Sequence, residues 1–302
     1  MVNISENAYS QYLTYNGNFA NFEYYTLSGN TVNVLPAWIE SNSSGKLTTW
    51  VKLPNGIPAK SSITIYLGFT LKSSNLLSSS GTTGIGEAPQ LPCGSTPTSS
   101  CSTYAEYDDG ASVFNNYQNW KGTNNPTGWS VTSSSMSVTI NNGLTLSTTG
   151  PNACGYTQEY GFNTPFNLPY VAEEYAQITA KNTGCNWSWM LGFFGDIGNN
   201  YAGQISVSAG TDKYPYFSWY NLGDQVSSIQ WSLNKFYILS ILAGQSVWYP
   251  EVNYISLATV SASVPSNRYI VFLQDPGASL TAYWWRTRAY PPGGIMPSAS
   301  FG

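Results

Sequence analysis

The chain has 302 residues; 9% are charged, 15% are aromatic, none is histidine, and the net charge is −4. Histidine is the commonest general base and metal ligand, so its absence excludes histidine-based triads and most mixed-ligand metal sites. The 11 Lys and Arg are scattered apart from Arg286 and Arg288, which leaves no basic face for nucleic acid.

A length of 302 residues suggests two domains, and 42% apolar residues can build a core in each. No apolar run approaches the roughly 18 residues that span a membrane. Residues 1–10 (MVNISENAYS) show neither the basic nor the apolar region of a signal peptide, so a processed start is expected.

In chain order, nearly every segment reads as strand: period-2 patterns of Val, Ile, Thr, Tyr, Phe and Trp, broken by Gly, Pro, Asn and Ser. Val2, Ile4, Leu13 and Tyr15 give the N-terminal segment weak alternation. Residues 32–39, 47–53 and 61–69 then supply strands of a small β-sandwich over residues 1–70. Residues 71–103 are rich in Ser, Thr, Gly and Pro; they read either as a linker or as an ordered connection carrying Leu76, Leu77 and Ile85. Strands resume at Tyr104. Residues 136–140 and 144–147 flank Asn142-Gly143, a strong hairpin signal. About ten strands follow without a repeat of about 40 residues, which favours a two-sheet jelly roll over 104–302 rather than a propeller. The expected fold class is all-β, with two β-sandwich domains.

Cys93, Cys101, Cys154 and Cys185 form no Cys-x-x-Cys pair, and an even count in a hydroxyl-rich chain reads as two disulfides. Proximity in sequence suggests Cys93–Cys101 and Cys154–Cys185. Asn3, Asn42 and Asn186 each begin a glycosylation sequon. Together these features point outside the cytoplasm.

Paired carboxylates are the remaining acid–base option. Glu173 and Glu174 are adjacent on one strand, so they face opposite sides of the sheet and cannot pair. Glu106-Tyr107-Asp108-Asp109 puts two acids on one face, but the third carboxylate of the Glu-x-Asp-x-x-Glu pattern is replaced by Ala111. Asp108-Asp109-Gly110 reads as a turn with a carboxylate bonded to backbone N–H. Trp187 with Trp189, and Tyr283 with Trp284 and Trp285, read either as a carbohydrate platform or as inner-face core. No cofactor, metal or catalytic residue is expected, and the chain is expected not to be an enzyme.

Trp50-Val51-Lys52-Leu53-Pro54 and Ile65-Tyr66-Leu67-Gly68-Phe69 resemble paired strand motifs of a domain of unknown function in prokaryotic, often archaeal, surface proteins. Residues 283–302 (YWWRTRAYPPGGIMPSASFG) resemble the closing strand of the concanavalin A-like (laminin-G-like) jelly roll that often follows it. The resemblance implies the fold and a cell-surface location, and it transfers no catalytic residue. The chain lacks the usual opening strand pattern before residue 12, and a sandwich short of a strand has an open edge.

Two functions follow as expectations. The first is an extracellular structural protein that self-associates, with Val2, Ile4, Leu13 and Tyr15 adding as a strand to a neighbouring subunit; the alternative for that segment is pairing within its own domain. The second is a carbohydrate-binding module whose partners are glycans.

Overall fold

A computed structural model describes residues 1–13, 20–58, 60–78, 84–91, 103–131, 135–149, 158–181, 187–196, 199–208, 216–220, 224–261, 267–274 and 277–301. The chain divides into two compact units, Met1–Gln118 with Met296–Gly302, and Asn119–Ile295. The division differs from the expected one. Ile85 is fully buried and Leu77 nearly so in the core of the first unit, so this part of the connection is ordered there. Residues 104–118 also belong to the first unit, because their aromatic and acidic side chains complete its packing.

The first unit contains β1 (Val2–Ser5), β2 (Phe22–Ser28), β3 (Thr31–Leu35), β4 (Ala37–Ser43), β5 (Lys46–Val51), β6 (Tyr66–Phe69), β7 (Gly86–Glu87) and β8 (Asn116–Gln118), with the short helices α1 (Glu6–Tyr9) and α2 (Gly110–Val113). One of its sheets runs β1-β5-β4-β7 and another β3-β2-β6. Alternation explains the core between them. Val2, Ile4, Ala37, Ile39 and Leu47 from the first sheet meet Phe22, Tyr24 and Leu35 from the second. The opposite face of the first sheet carries Trp38 and Trp50, which pack edge-on against Phe114.

The N-terminal segment is already occupied within this unit. β1 pairs antiparallel with β5, Val2 opposite Thr49 and Ile4 opposite Leu47, and Leu13 is 2% exposed in the same core. Among the described residues β1 is an end strand of this sheet, and Val2, Ile4 and Leu13 turn their side chains into the unit's own core. Tyr15 lies outside the described residues.

The second unit contains β9 (Trp129–Val131), β10 (Met136–Ile140), β11 (Leu144–Thr148), β12 (Gln158–Phe162), β13 (Phe166–Asn167), β14 (Tyr170–Ala180), β15 (Trp187–Asp196), β16 (Asn199–Ser208), β17 (Tyr216–Tyr220), β18 (Asp224–Gln230), β19 (Tyr237–Ala243), β20 (Val247–Val252), β21 (Ile255–Ser256), β22 (Val260–Ser261), β23 (Asn267–Gln274) and β24 (Ser279–Ala289). Its front sheet runs β10-β11-β24-β14-β19-β20-β21, and its back sheet β18-β17-β16-β15-β23-β12-β9. This is the expected jelly-roll sandwich.

β10 and β11 are joined by the three residues Asn141, Asn142 and Gly143, the last two at positive φ, so the hairpin falls where the Asn-Gly signal puts it. Between the sheets, Ala172, Ala176 and Ile178 of β14, Leu239 and Ile241 of β19, and Leu280, Ala282 and Trp285 of β24 meet Leu191, Ile205, Ile270 and Phe272 of the back sheet. Each such Leu or Ile side chain, fully buried, contributes about 1.5–3 kcal/mol.

Candidate functional site: the outer face of the front sheet

The front sheet's outer face, turned away from the inter-sheet core, is built by β14, β19, β20 and β24. Strand alternation sends Val171, Glu173, Tyr175 and Gln177 of β14 outward and Ala172, Glu174 and Ala176 inward. On β24, Leu280 and Ala282 face the core, and so does Trp285, three residues on from Ala282 rather than two or four. The phase changes at a β-bulge: Tyr175 pairs with Trp284, but Ala176 pairs with Ala282. The extra residue is Tyr283. Two consecutive aromatic residues, Tyr283 and Trp284, therefore emerge on the same outer face.

The bulge creates an aromatic platform. Phe236, just before β19, lies 4.7 Å from Tyr283 and 4.9 Å from Tyr175, with planes inclined by 23° and 26°. Tyr175 and Tyr283 are 6.2 Å apart at 25°. In a straight column the outer pair would stand at the sum of the two shorter separations. The three rings instead form a triangle of nearly parallel planes, and all three are half-buried. Gln177 and Thr281 are register partners on the same face beside it, both half-buried.

Beyond the platform, the face becomes charged and dry. Trp284 stacks on Tyr175 and carries the Arg286 guanidinium 4.4 Å above its ring. Arg286 Nε donates to Glu173 Oε2 at 2.6 Å, and Arg288 donates to Glu173 Oε1 at 2.9 Å. Ser240 of β19, in register with Glu173, gives that carboxylate a third hydrogen bond at 3.1 Å. Glu173, Arg286 and Ser240 are fully buried. Burial alone would raise the pKa of Glu173, but the charges of Arg286 and then Arg288 hold it down at about 2. Glu251 of β20 lies on the same face, where burial and then the Glu173 charge push it up to about 7, against the pull of Arg288.

Tyr254 holds the clamp from above. Its hydroxyl meets Arg286 at 2.9 Å, from a turn in which Asn253 and Tyr254 both adopt positive φ, 50° and 64°. A bulky residue in that region costs about 1–2 kcal/mol, so the clamp is over-determined by its surroundings. Asn253 anchors the turn: its Oδ1 accepts the Ile238 N–H at 2.9 Å.

Glu174 has the opposite surroundings. It is fully buried between the sheets, its two oxygens have no hydrogen-bond partner among the described residues, and burial pushes it well above the ordinary carboxylate range.

Asp108 in the first unit makes the turn its sequence suggests. It accepts from Gly110 N–H at 3.0 Å, Trp38 Nε1 at 2.9 Å and Tyr117 hydroxyl at 2.8 Å. Asp109 is pushed up to about 8 by burial and then by Asp108. It rests directly on Gly86, where any Cβ would collide with its Oδ1. Asp108 is tied into the framework, whereas the carboxyl oxygens of Asp109 are buried with no hydrogen-bond partner among the described residues.

Trp284 and Trp285 are both buried, one beneath Arg286 and one in the core, so neither forms an exposed platform. The side chains of Trp187 and Trp189 on β15 lie outside the described ones, as do Cys93, Cys101, Cys154, Cys185 and Asn186. Asn42 is exposed on β4, whereas Asn3 is half-buried with its Oδ1 accepting the Thr48 hydroxyl. Sequence reasoning missed Phe236 and the arginine pair on Glu173. The adjacency of Arg286 and Arg288 on one strand face was the only signal available for the clamp.

Among the described residues there is no cluster of three or more His, Cys, Asp or Glu able to hold a metal, and no helix long and apolar enough to cross a membrane. No family model matches the chain, and no curated protein matches it. Solved structures of the jelly-roll type do resemble it. One is an endo-acting O-glycanase of the human gut microbiota, with a TM-score of 0.45 and 10% identity over 59% of this chain and 100% of that one. Another is the Bacillus licheniformis β-glucanase, with a TM-score of 0.43 and 14% identity over 57% and 96%. The Emp47p carbohydrate recognition domain gives a TM-score of 0.44 and 11% identity over 57% and 92%. The expectation that the chain is not an enzyme is corrected by this comparison, in which glycanases and glucanases recur.

Proposed function

We propose that the second unit binds carbohydrate on the outer face of its front sheet, at the platform of Tyr175, Phe236 and Tyr283. The observation that carries this reading is the triangle of near-parallel, half-buried rings made by the bulge at Tyr283. A pyranose ring offers a C–H face that packs on an aromatic plane, and hydroxyls at its rim that need hydrogen bonds. Gln177 and Thr281 supply neutral amide and hydroxyl groups at that rim. The nearby Glu173, Arg286 and Arg288 are buried with one another and present no open charge at that rim, so a neutral saccharide fits better than an acidic one.

Scarce charge, sequons and an even cysteine count support a place for this binding outside the cell. The pairing of β1 with β5 of its own sheet favours the alternative of pairing within its own domain over a filament joined by that strand.

Titration calorimetry against a panel of neutral and acidic oligosaccharides tests the reading. Tyr283→Ala and Phe236→Ala should each weaken binding of a neutral oligosaccharide by about tenfold, the loss of one good aromatic contact. No heat with any saccharide, or binding untouched by both substitutions, would sink it.

A further inference from the structure

The β2–β3 hairpin of the first unit has two apolar faces where one would serve. Its inner face delivers Phe22, Tyr24 and Leu35 to the core. Its outer face pairs Tyr25 with Val34, Leu27 with Val32, and Tyr25 with Tyr66 of β6. Val32 is 57% exposed, Leu27 47%, Tyr66 40% and Val34 37%. Tyr25 stacks on Tyr66 at 5.3 Å and lies against Gly68, where a Cβ would stand 2.9 Å from its ring. These residues form one contiguous face.

β3 is also an end strand, with no further partner among the described residues. The two-residue loop Gly29-Asn30 makes Ser28 and Thr31 the closing hydrogen-bonded pair, so the N–H and C=O groups of Val32 and Val34 point outward. Natural edges are usually blunted by Lys, Pro, a bulge or a cover. Thr31–Leu35 has none of these, and no residue from Tyr25 to Leu35 is charged.

We propose that β3 is a self-association edge that pairs antiparallel with β3 of a second copy of this chain about a two-fold axis, with Leu27, Val32 and Val34 packing across the seam. Antiparallel pairing of one strand with its own copy satisfies the outward backbone groups of both. Charge decides between occupants. A partner recognised electrostatically finds nothing to hold on this hairpin, whereas two neutral copies meet without like-charge repulsion. Area sets the strength. Standard interfaces use about 20–30 residues a side, and this one offers a handful, so dissociation in the range of about 10–100 µM is expected.

Sedimentation equilibrium of the full chain from about 10 µM to about 1 mM tests this. The unmodified chain should shift from monomer to dimer across that range. V32K/V34K, at exposed positions, should remain monomeric with an unchanged melting temperature, and V32T/V34T should associate about tenfold more weakly. A chain that is monomeric at about 1 mM, or a V32K/V34K variant that dimerises as well as the parent, overturns the proposal.

Discussion

The two faces of β14 put the same side chain into opposite situations. Glu173 points outward into two guanidinium groups and a hydroxyl, and stays ionised down to about pH 2. Glu174, the next residue, points inward among Leu239, Trp285 and Ala172 with no such partner, and burial keeps it protonated well above the ordinary range. Both are fully buried, so depth alone does not set the state of a carboxylate. The groups that accompany it below the surface decide.

Removing Glu173 tests that contrast most severely. Glu173→Ala leaves two buried guanidinium groups without their carboxylate and should cost about 3–5 kcal/mol in urea denaturation of the second unit. Glu174→Leu should act in the other direction. It replaces an unsatisfied buried acid with an apolar side chain and should stabilise by about 1–3 kcal/mol at neutral pH. If both substitutions destabilise equally, the two faces are not electrostatically distinct.

The two residues should also separate by pH. The Glu174 pKa is raised in the folded chain, so its relative advantage is fullest below its unfolded pKa of about 4.5 and declines as pH rises above it. The gap between Glu174→Leu and the parent should therefore widen from pH 4 to pH 8. The Glu173 pKa is depressed, so its contribution is present above about 4.5 and is lost as pH falls through about 2. Glu173→Gln should consequently converge with the parent only in strong acid. A more delicate probe is Tyr254→Phe, which deletes the hydroxyl on Arg286 and should cost about 1.5 kcal/mol without altering the turn.

Much of this arrangement is legible in the sequence alone, and legibility ends for local reasons. Period-2 alternation is enough to send Glu173 and Glu174 to opposite faces, and Asn142-Gly143 is enough to place a hairpin. The partners of Glu173 stand 113 and 115 residues away, and only the order β24-β14-β19 brings them together. Sequence spacing carries no information about that order. The platform is hidden for another reason. Tyr283, Trp284 and Trp285 should alternate, and a single unpaired residue makes two of them share a face. The domain boundary shifts because residues 104–118 look like the first strand of a jelly roll, while Phe114, Tyr117 and Asp108 pack on Trp38 of the first unit.

The bulge at Tyr283 has a consequence for inheritance. On one side of it lie Leu280 and Ala282, on the other Trp285, Arg286 and Arg288. Deleting one residue there would restore plain alternation, leaving Leu280, Ala282 and Trp285 inward and both arginines outward, but with one outward ring fewer. The clamp thus keeps its facing without the extra residue, and only the platform depends on it. A lineage can shorten this strand by the one extra residue and keep the clamp, but it loses a ring of the platform.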